Sequence, residues 1–351
     1  MDVDREECWP GARFRNVRLL EEVPMRYPFR SRIYRSTFEV DGFPFCKRLE
    51  LYCVVDPEKR ALVIDTGSPA LCGRDALDGI LERFHISWDK TEVFLSHFHD
   101  DHAGNALYCI KKGIHKLYFG PSKCVNPSFV NDFLANSASM DLVGDSTNAF
   151  IAFAASGKKI KTTNKDTCEE LGGGEILSCG KYTFTVLHTP GHTFDHLCLL
   201  DENKKILFAG DHICNTSPGV LQFSIDDHLI SRYLENLALL KSNNLEVVYM
   251  SHHNPLFGTN EINRFISMIQ RRYESLVARA RKLFSDNDEL TVREAAKINA
   301  SHYSRGLEGL PYSTQIGRIA TTFATLEYLN DLGMTSRSIN DEGALIYKRL
   351  W

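Results

Sequence analysis

The stretch Ser96-His-Phe-His-Asp-Asp-His-Ala-Gly104 carries three imidazoles and two carboxylates within six consecutive positions, 97–102. The apolar run that precedes it, 91–95, is typical of a β-strand. The run that follows, 105–110, is compatible with a helix. The sequence therefore places the cluster on a loop between a strand and a helix, where a rigid scaffold commonly carries chemically active residues.

The spacing within this cluster favours metal binding. Alternate side chains of an extended backbone share a face, so His97 and His99 can direct their rings to one ion. Asp101 and His102 follow where the chain turns, and they can reach a second point nearby. Neutral imidazole and carboxylate are ligands of zinc, and also of manganese and iron. The structural alternative is that the histidines cluster by chance and that Asp100 or Asp101 caps the helix, but chance placement of four such residues in this pattern is rare.

The composition excludes several classes of protein. A chain of 351 residues with 43% hydrophobic and 25% charged residues predicts one large or two ordinary globular domains. The net charge of −4 provides no field that attracts nucleic acid or membrane. No apolar run reaches the length of a membrane span, the N-terminus lacks the apolar segment of a secretory signal, and the ten cysteines lack CxxC spacing. We therefore expect a cytoplasmic protein that acts on a small molecule.

The first half of the chain predicts an α/β fold. Strands are expected at 17–20, 33–40, 49–55 and 61–64, and a helix over 74–84. The order of elements favours a central sheet covered by helices. Residues 120–175, which prolines and glycines interrupt, predict an inserted segment that either covers the site as a lid or forms a surface excursion.

An apolar strand followed by candidate ligands occurs four times. After the first cluster, His192 follows the strand predicted at 182–187, and Asp211 follows the strand predicted at 205–209. The pair His252-His253 follows the strand predicted at 245–250. Because the carboxyl ends of strands at one sheet edge lie side by side, all four groups can converge on one spot.

From about residue 260 the pattern becomes helical, with helices predicted over 262–283, 291–299 and 313–332 before a hairpin at 335–347. Thr291 and Glu294 predict a capping box. Helices followed by a hairpin resemble a winged helix, a common nucleic-acid-binding unit. However, residues 260–351 contain 13 Lys and Arg against 11 Asp and Glu, a net of only +2, which is a weak footprint for phosphate binding. We expect a structural or dimerising module that packs against the site, and a homodimer stays open.

Four motifs in this order resemble the metallo-β-lactamase fold superfamily, and more narrowly its glyoxalase-II-like hydrolases. They are His97-x-His-x-Asp-His102, Thr189-Pro-Gly-His192, Gly210-Asp211 and His252-His-Asn-Pro255. The resemblance implies an αββα sandwich with metals at one edge. It also implies a catalytic domain over 1–259, and we place a smaller winged-helix-like domain over 260–351.

The resemblance also implies roles for individual residues. His97, His99 and His192 would hold a first metal, and Asp101, His102 and a late histidine would hold a second. The carboxylate of Asp211 would bridge both metals.

Three further positions have less certain roles. Asp65 would accept a hydrogen bond from a ligand imidazole and so orient it. His212 matches no ligand position and is interpreted as a neighbour of the site. For the late histidine, counting back from Pro255 selects His253, whereas counting forward from the preceding strand selects His252; we expect His253.

The activity implied is that of a dinuclear hydrolase. Two divalent ions, zinc before iron or manganese, would share a hydroxide that attacks a thioester or another activated acyl bond. Asp101 would also steer the proton of the nucleophile. Two alternatives stay open: a phosphodiesterase or ribonuclease acting on RNA or a nucleotide, and a metal-bearing regulatory protein that binds a ligand.

Overall fold

The computed structural model describes most of the chain. The described residues are 13–22, 32–41, 48–68, 71–121, 166–214, 219–310, 312–341 and 343–351. Most of the predicted insertion at 120–175 lies outside these ranges, so its assignment as a lid stays a prediction. Among the described helices, none combines the length and apolarity that crossing a bilayer requires.

Within the described residues, the first sheet contains seven strands. They are β1 (Arg13–Glu22), β2 (Ile33–Asp41), β3 (Arg48–Val55), β4 (Ala61–Ile64), β5 (Thr91–Phe94), β6 (Lys116–Phe119) and β7 (Cys168–Glu170). The strands lie in chain order; β1 to β4 pair antiparallel and β4 to β7 pair parallel.

The second sheet contains six strands in the part of the chain that the structure describes. They are β8 (Ile176–Cys179), β9 (Tyr182–His188), β10 (Leu197–Asp201), β11 (Ile206–Phe208), β12 (Val247–Tyr249) and β13 (Leu256–Phe257). Their order is β13-β12-β11-β10-β9-β8, and β11 and β12 are parallel neighbours.

The two sheets pack face to face, and helices cover their outer faces. Alternation along a strand explains this arrangement, because successive side chains point to opposite faces. In β4, Leu62 and Ile64 contribute to the core between the sheets, whereas Ala61 and Val63 contribute to the core under the helices. The first outer layer contains α1 (Leu71–Phe84), the short helix α2 (Asp100–Ala103) and α3 (Ala106–Lys112). The second contains α4 (Leu229–Ser242) and α5 (Thr259–Leu283). The predicted αββα sandwich is confirmed.

The C-terminal region adds helices and a small antiparallel sheet of order β14-β16-β15. Its elements are β14 (Glu289–Thr291), α6 (Val292–Asn299), α7 (Tyr312–Asp331), β15 (Thr335–Ile339) and β16 (Leu345–Arg349). The predicted capping box at Thr291 and Glu294 is present. The mainly helical character of this region is therefore confirmed.

The helix α5 belongs to two cores. Ile262, Ile266 and Ile269 pack beneath the second sheet, whereas Ala280 and Leu283 pack with α6 and α7. The boundary expected at 259/260 thus falls at the start of a helix that serves both regions.

Candidate metal centre

The candidate ligands, and Asp65 behind them, lie just beyond the carboxyl ends of strands. Asp65 follows β4, the 97–102 cluster follows β5, and His192, Asp211 and His252 follow β9, β11 and β12. β4 and β5 are parallel, as are β11 and β12, so these ends meet at one edge of the sandwich. The amide of Leu197 donates to the carbonyl of Ser96 over 2.8 Å and joins the two sheets there.

One group of ring nitrogens comes from three histidines. His99 Nδ1 lies 2.9 Å from His97 Nε2 and 3.0 Å from His192 Nε2. Nitrogens bound at about 2 Å to one tetrahedral zinc ion lie about 3.3 Å apart. The distances between these nitrogens are therefore close to those expected for three nitrogens that bind one metal ion.

A second group contains Asp101, His102 and His252. Asp101 Oδ2 lies 3.3 Å from His252 Nε2 and 3.6 Å from His102 Nε2. This group combines two imidazoles with one carboxylate, which is again a ligand set for a divalent transition metal.

Asp211 lies between the two groups. Its Oδ2 atom is 3.7 Å from His192 Nε2, in the first group. Its Oδ1 atom is 3.5 Å from His102 Nε2 and 3.2 Å from His252 Nε2, in the second. The two oxygens of one carboxylate thus face different groups.

Buried polar atoms at this position fit a pair of cations. His102 Nε2 and Asp211 Oδ1 are buried, and neither makes a hydrogen bond of acceptable geometry within the described part of the chain. An unsatisfied buried polar atom costs about 1–3 kcal/mol. Divalent ions held by these atoms would remove that cost, so the residues present fit the group that the resemblance implies.

The second ring nitrogen of each of three histidines contacts an outer acceptor. His102 Nδ1 lies 2.8 Å from Asp65 Oδ2, His192 Nδ1 lies 2.7 Å from the carbonyl of Gly219, and His252 Nδ1 lies 2.8 Å from the carbonyl of Arg48. Such contacts fix the tautomer of a ligand imidazole and leave its other nitrogen for metal.

Burial and charge divide the histidines of the centre into two classes. Burial and neighbouring imidazoles lower the pKa of His97, and burial lowers the pKa of His99 to about 3. Burial would also lower the pKa of His102, but the carboxylates of Asp101, Asp65 and Asp211 raise it to about 9.

The two carboxylates of the centre stay ionised. Burial alone would raise their pKa values, but His102 and His252 lower the pKa of both Asp101 and Asp211. Two ionised oxygen ligands are therefore present at neutral pH.

Three of the expected residues lie outside these groups: Asp65, which contacts the ring of His102, His212 and His253. Among the described residues, His97, His102 and Asp211 form a further group of possible metal ligands, and the groups include His252 and not His253. The geometry favours His252 over the expected His253, because the hydrogen bond to Arg48 aims the ring of His252 at the two carboxylates. The identity of the late ligand stays a prediction. His212 also lies outside the groups; its ring packs 4.6 Å from the ring of Tyr233.

Several supporting residues surround the ligands. Of these, the sequence indicated only His196, which like His212 matches no ligand position and was interpreted as a neighbour of the site. Ser96 Oγ donates to Asp65 Oδ2 over 3.0 Å and lies 3.1 Å from His97 Nδ1. His196 Nε2 accepts from the amide of Asp211 over 3.2 Å. The position of Ser96, directly before the ligand cluster, could have indicated its role. The acceptors on Gly219 and Arg48 give no such signal, because they are main-chain carbonyls, which every residue has.

Comparison with known proteins places this geometry in a family. The sequence profile of the metallo-beta-lactamase superfamily matches residues 51–252. A beta-lactamase domain protein from Burkholderia ambifaria has the same fold, with a TM-score of 0.72, 17% identity and coverage of 94% of both chains.

Two curated relatives are similar over parts of the chain. The atrochrysone carboxyl ACP thioesterase of Emericella nidulans is 24% identical over 199 residues, 57% of this chain and 50% of that protein. The acyl-coenzyme A thioesterase MBLAC2 of Gallus gallus is 35% identical over 98 residues, 27% of this chain and 34% of that protein. The chain spans about half the length, or less, of these relatives. Because the family profile matches more than half of its residues, the chain belongs to the metallo-beta-lactamase superfamily.

Proposed function

We propose that this protein is a dinuclear metal-dependent hydrolase that cleaves thioesters. The observation that carries the proposal is the position of Asp211, whose two oxygens face two separate groups of ligand atoms. A single carboxylate in that position can hold two cations a short distance apart, which is the arrangement of two-metal hydrolytic sites.

The ligands that we assign to each ion follow from the two groups. His97, His99 and His192 would hold the first ion, and Asp101, His102 and His252 would hold the second, with Asp211 shared. Five imidazoles and two carboxylates support zinc, and iron or manganese would use the same donors. When bound, such ions act as Lewis acids and lower the pKa of bound water toward neutrality.

The side chains of the chain itself bind, orient and hold protons. Asp101 stays ionised beside His102 and His252, so it can accept a hydrogen bond from the attacking water and fix its direction. Asp65 holds the ring of His102 through Nδ1 and leaves Nε2 for the second ion. Among the described residues the centre itself consists of imidazoles and carboxylates, so the proposed reaction proceeds by direct attack of water.

The thioester class is supported by the two relatives named as thioesterases of acyl-carrier-protein and coenzyme A substrates. Both substrates present an acyl group on a thiol, and thiolate is a good leaving group for attack by activated water. The net charge of −4 gives no support to an RNA substrate.

The direct experiment measures the hydrolysis of several substrates by purified protein whose metal content has been determined. The panel contains acyl-coenzyme A, acyl-carrier-protein and glutathione thioesters, an aryl phosphodiester and a short RNA. We expect thioester cleavage that a chelator abolishes and zinc restores. Asp211→Asn should abolish turnover. Asp201→Asn is the control and should leave turnover unchanged, because Asp201 is a buried carboxylate that pairs with Lys204 at the end of β10.

Other results would redirect the proposal. Cleavage of phosphodiesters without cleavage of thioesters would establish a nuclease or phosphodiesterase. Two bound metals without turnover of any substrate would point to a regulatory protein that binds a ligand. A protein that binds no divalent metal would overturn the proposal entirely.

A further inference from the structure

The turn that carries His252 is attached to the opposite sheet. His252 Nδ1 lies 2.8 Å from the carbonyl of Arg48, and the carbonyl of Ser251 accepts the amide of Glu50 over 2.7 Å. Arg48 and Glu50 lie on β3 of the first sheet, whereas His252 follows β12 of the second. The direction of the His252 ring therefore depends on where β3 holds residue 48.

The side chain of Arg48 is fixed at two points. Its Nη2 atom donates to Asn254 Oδ1 over 2.8 Å, and its Nε atom donates to Glu50 Oε1. Arg35 Nη1 donates to the same Asn254 oxygen over 3.1 Å. Residue 48 thus holds His252 through its carbonyl and the neighbouring Asn254 through its guanidinium.

Glu50 anchors this arrangement from within the protein. Its side chain is 0% exposed, and it also accepts a hydrogen bond from Thr37 Oγ1 over 2.7 Å. Removing a carboxylate from water is costly, and a buried ion pair returns little net stability. The contacts of Glu50 are instead directed at the residue that orients His252.

We propose that Glu50 is a positioning residue for the second metal, because it clamps Arg48, whose carbonyl aims His252 Nε2 at Asp101 and Asp211. The inference rests on the proposed function, in which His252 is a metal ligand. A hydrogen bond from a ligand imidazole to an outer acceptor, such as that from His252 to the Arg48 carbonyl, typically contributes 10- to 100-fold to metal affinity. Glu50 touches none of the reacting atoms, and it acts through two intervening residues.

The test compares two buried glutamates. Glu50→Gln keeps the shape of the side chain and removes its charge. Glu327→Gln is the matched control, because Glu327 on α7 is also buried and pairs with Arg337 and Tyr347, in the C-terminal region. Cobalt titration followed by visible absorption, with metal analysis, reports the affinity and geometry of each site without any substrate.

For Glu50→Gln we expect unchanged affinity at the first site and about tenfold weaker affinity at the second. Glu327→Gln should bind two equivalents as the wild type does, whatever it loses in thermal stability. Asn254→Ala provides a second variant in case Glu50→Gln does not fold, because Asn254 is exposed and its loss releases Arg48 from one side. It should weaken the same site.

The outcomes separate this inference from the proposed function. If the wild type binds two equivalents and both Glu50→Gln and Asn254→Ala do so with unchanged affinity and spectrum, Glu50 is not a positioning residue and the dinuclear site stands. If Glu327→Gln weakens the second site as much as Glu50→Gln does, general destabilisation explains the effect and the inference fails. If the wild type binds fewer than two equivalents, the dinuclear proposal itself fails.

Discussion

Asp65 Oδ2 lies 2.8 Å from His102 Nδ1, and the two oxygens of Asp65 also accept the amide and the hydroxyl of Ser96. Asp65 adopts a φ of +62°, an uncommon conformation for a residue other than glycine. Strained backbone of this kind persists where surrounding contacts hold it and is frequent at functional sites. The strain and the three hydrogen bonds together place one carboxylate behind a candidate metal ligand.

We expect Asp65→Asn to weaken metal binding at the second group by about 10- to 100-fold, because the ring of His102 loses the acceptor that fixes its tautomer. Competition with a chromophoric chelator measures this change. Asp56→Asn is the control, since Asp56 is equally buried but pairs with Arg60 in the β3–β4 turn. Equal metal affinity in the wild type and in Asp65→Asn would show that Asp65 does not support metal binding.

Metal binding should depend on pH differently at the two groups. Three carboxylates raise the pKa of His102 to about 9 against the effect of burial, so the metal-free protein carries a proton there at pH 7. A metal ion must displace this proton, and affinity at the second group should rise about tenfold per pH unit from 7 to 9. His97, His99 and His192 have lowered pKa values, mainly from burial, so affinity at the first group should be flat over this range.

The same shift predicts the pH dependence of stability in the metal-free protein. Because the folded pKa of His102 exceeds its unfolded value of about 6.5, its contribution to the free energy of unfolding is full below pH 6.5 and is lost as pH rises through about 9.

The raised pKa of His102 also predicts proton release when metal binds. At pH 7.5, zinc binding should release one proton from His102, and titration calorimetry measures that release. No dependence of affinity on pH between 7 and 9 at the second group would contradict this account.

The adjacent histidines 252 and 253 provide a direct comparison. His252→Ala should lose one of two bound metal equivalents, because His252 Nε2 faces Asp101 and Asp211. His253→Ala should keep both equivalents. Metal analysis after gel filtration decides between them, and loss of a metal from His253→Ala alone would restore the ligand that the sequence favoured.

Gly210, next to Asp211, adopts a φ of +49°, and an added Cβ would lie 2.7 Å from Ser96 Cβ and 2.8 Å from His196 Nε2. We expect Gly210→Ala to destabilise the protein by about 2–4 kcal/mol, from backbone strain and overpacking. Urea unfolding measures this loss. Gly79→Ala in α1 is the control, since an added Cβ there meets nothing within 4 Å; it should stabilise the protein by about 0.5–1 kcal/mol. Equal stability of the two variants would show that the site does not need glycine at 210.

Much of the sandwich could be predicted because its strands are apolar and its ligands follow strand ends. β3, β9 and α5 have long patterns, and the structure contains them. β6, β7, β8, β13 and β14 were not predicted, because runs of two to four residues carry too little periodicity to be recognised.

The geometry that favours His252 over His253 depends on contacts that lie elsewhere in the chain. Tyr52 Oη donates to the carbonyl of Met250, and the amide of Glu50 donates to the carbonyl of Ser251. These two contacts to main-chain carbonyls hold the turn after β12. Counting from Pro255 could not anticipate them, because a carbonyl acceptor is present at every position.

The segment 219–225 also links distant parts of the chain. The carbonyl of Gly219 accepts from His192, whereas Phe223 is buried among the side chains of α6 and α7. Because α5 also contributes to both cores, the sandwich and the C-terminal region share buried surface that neither could cover alone. A fragment cut at 259 would expose that surface and leave Phe223, four residues from the acceptor of His192, without its packing partners. We therefore expect the centre to need the C-terminal region for its fold, and heating should melt both regions in one transition.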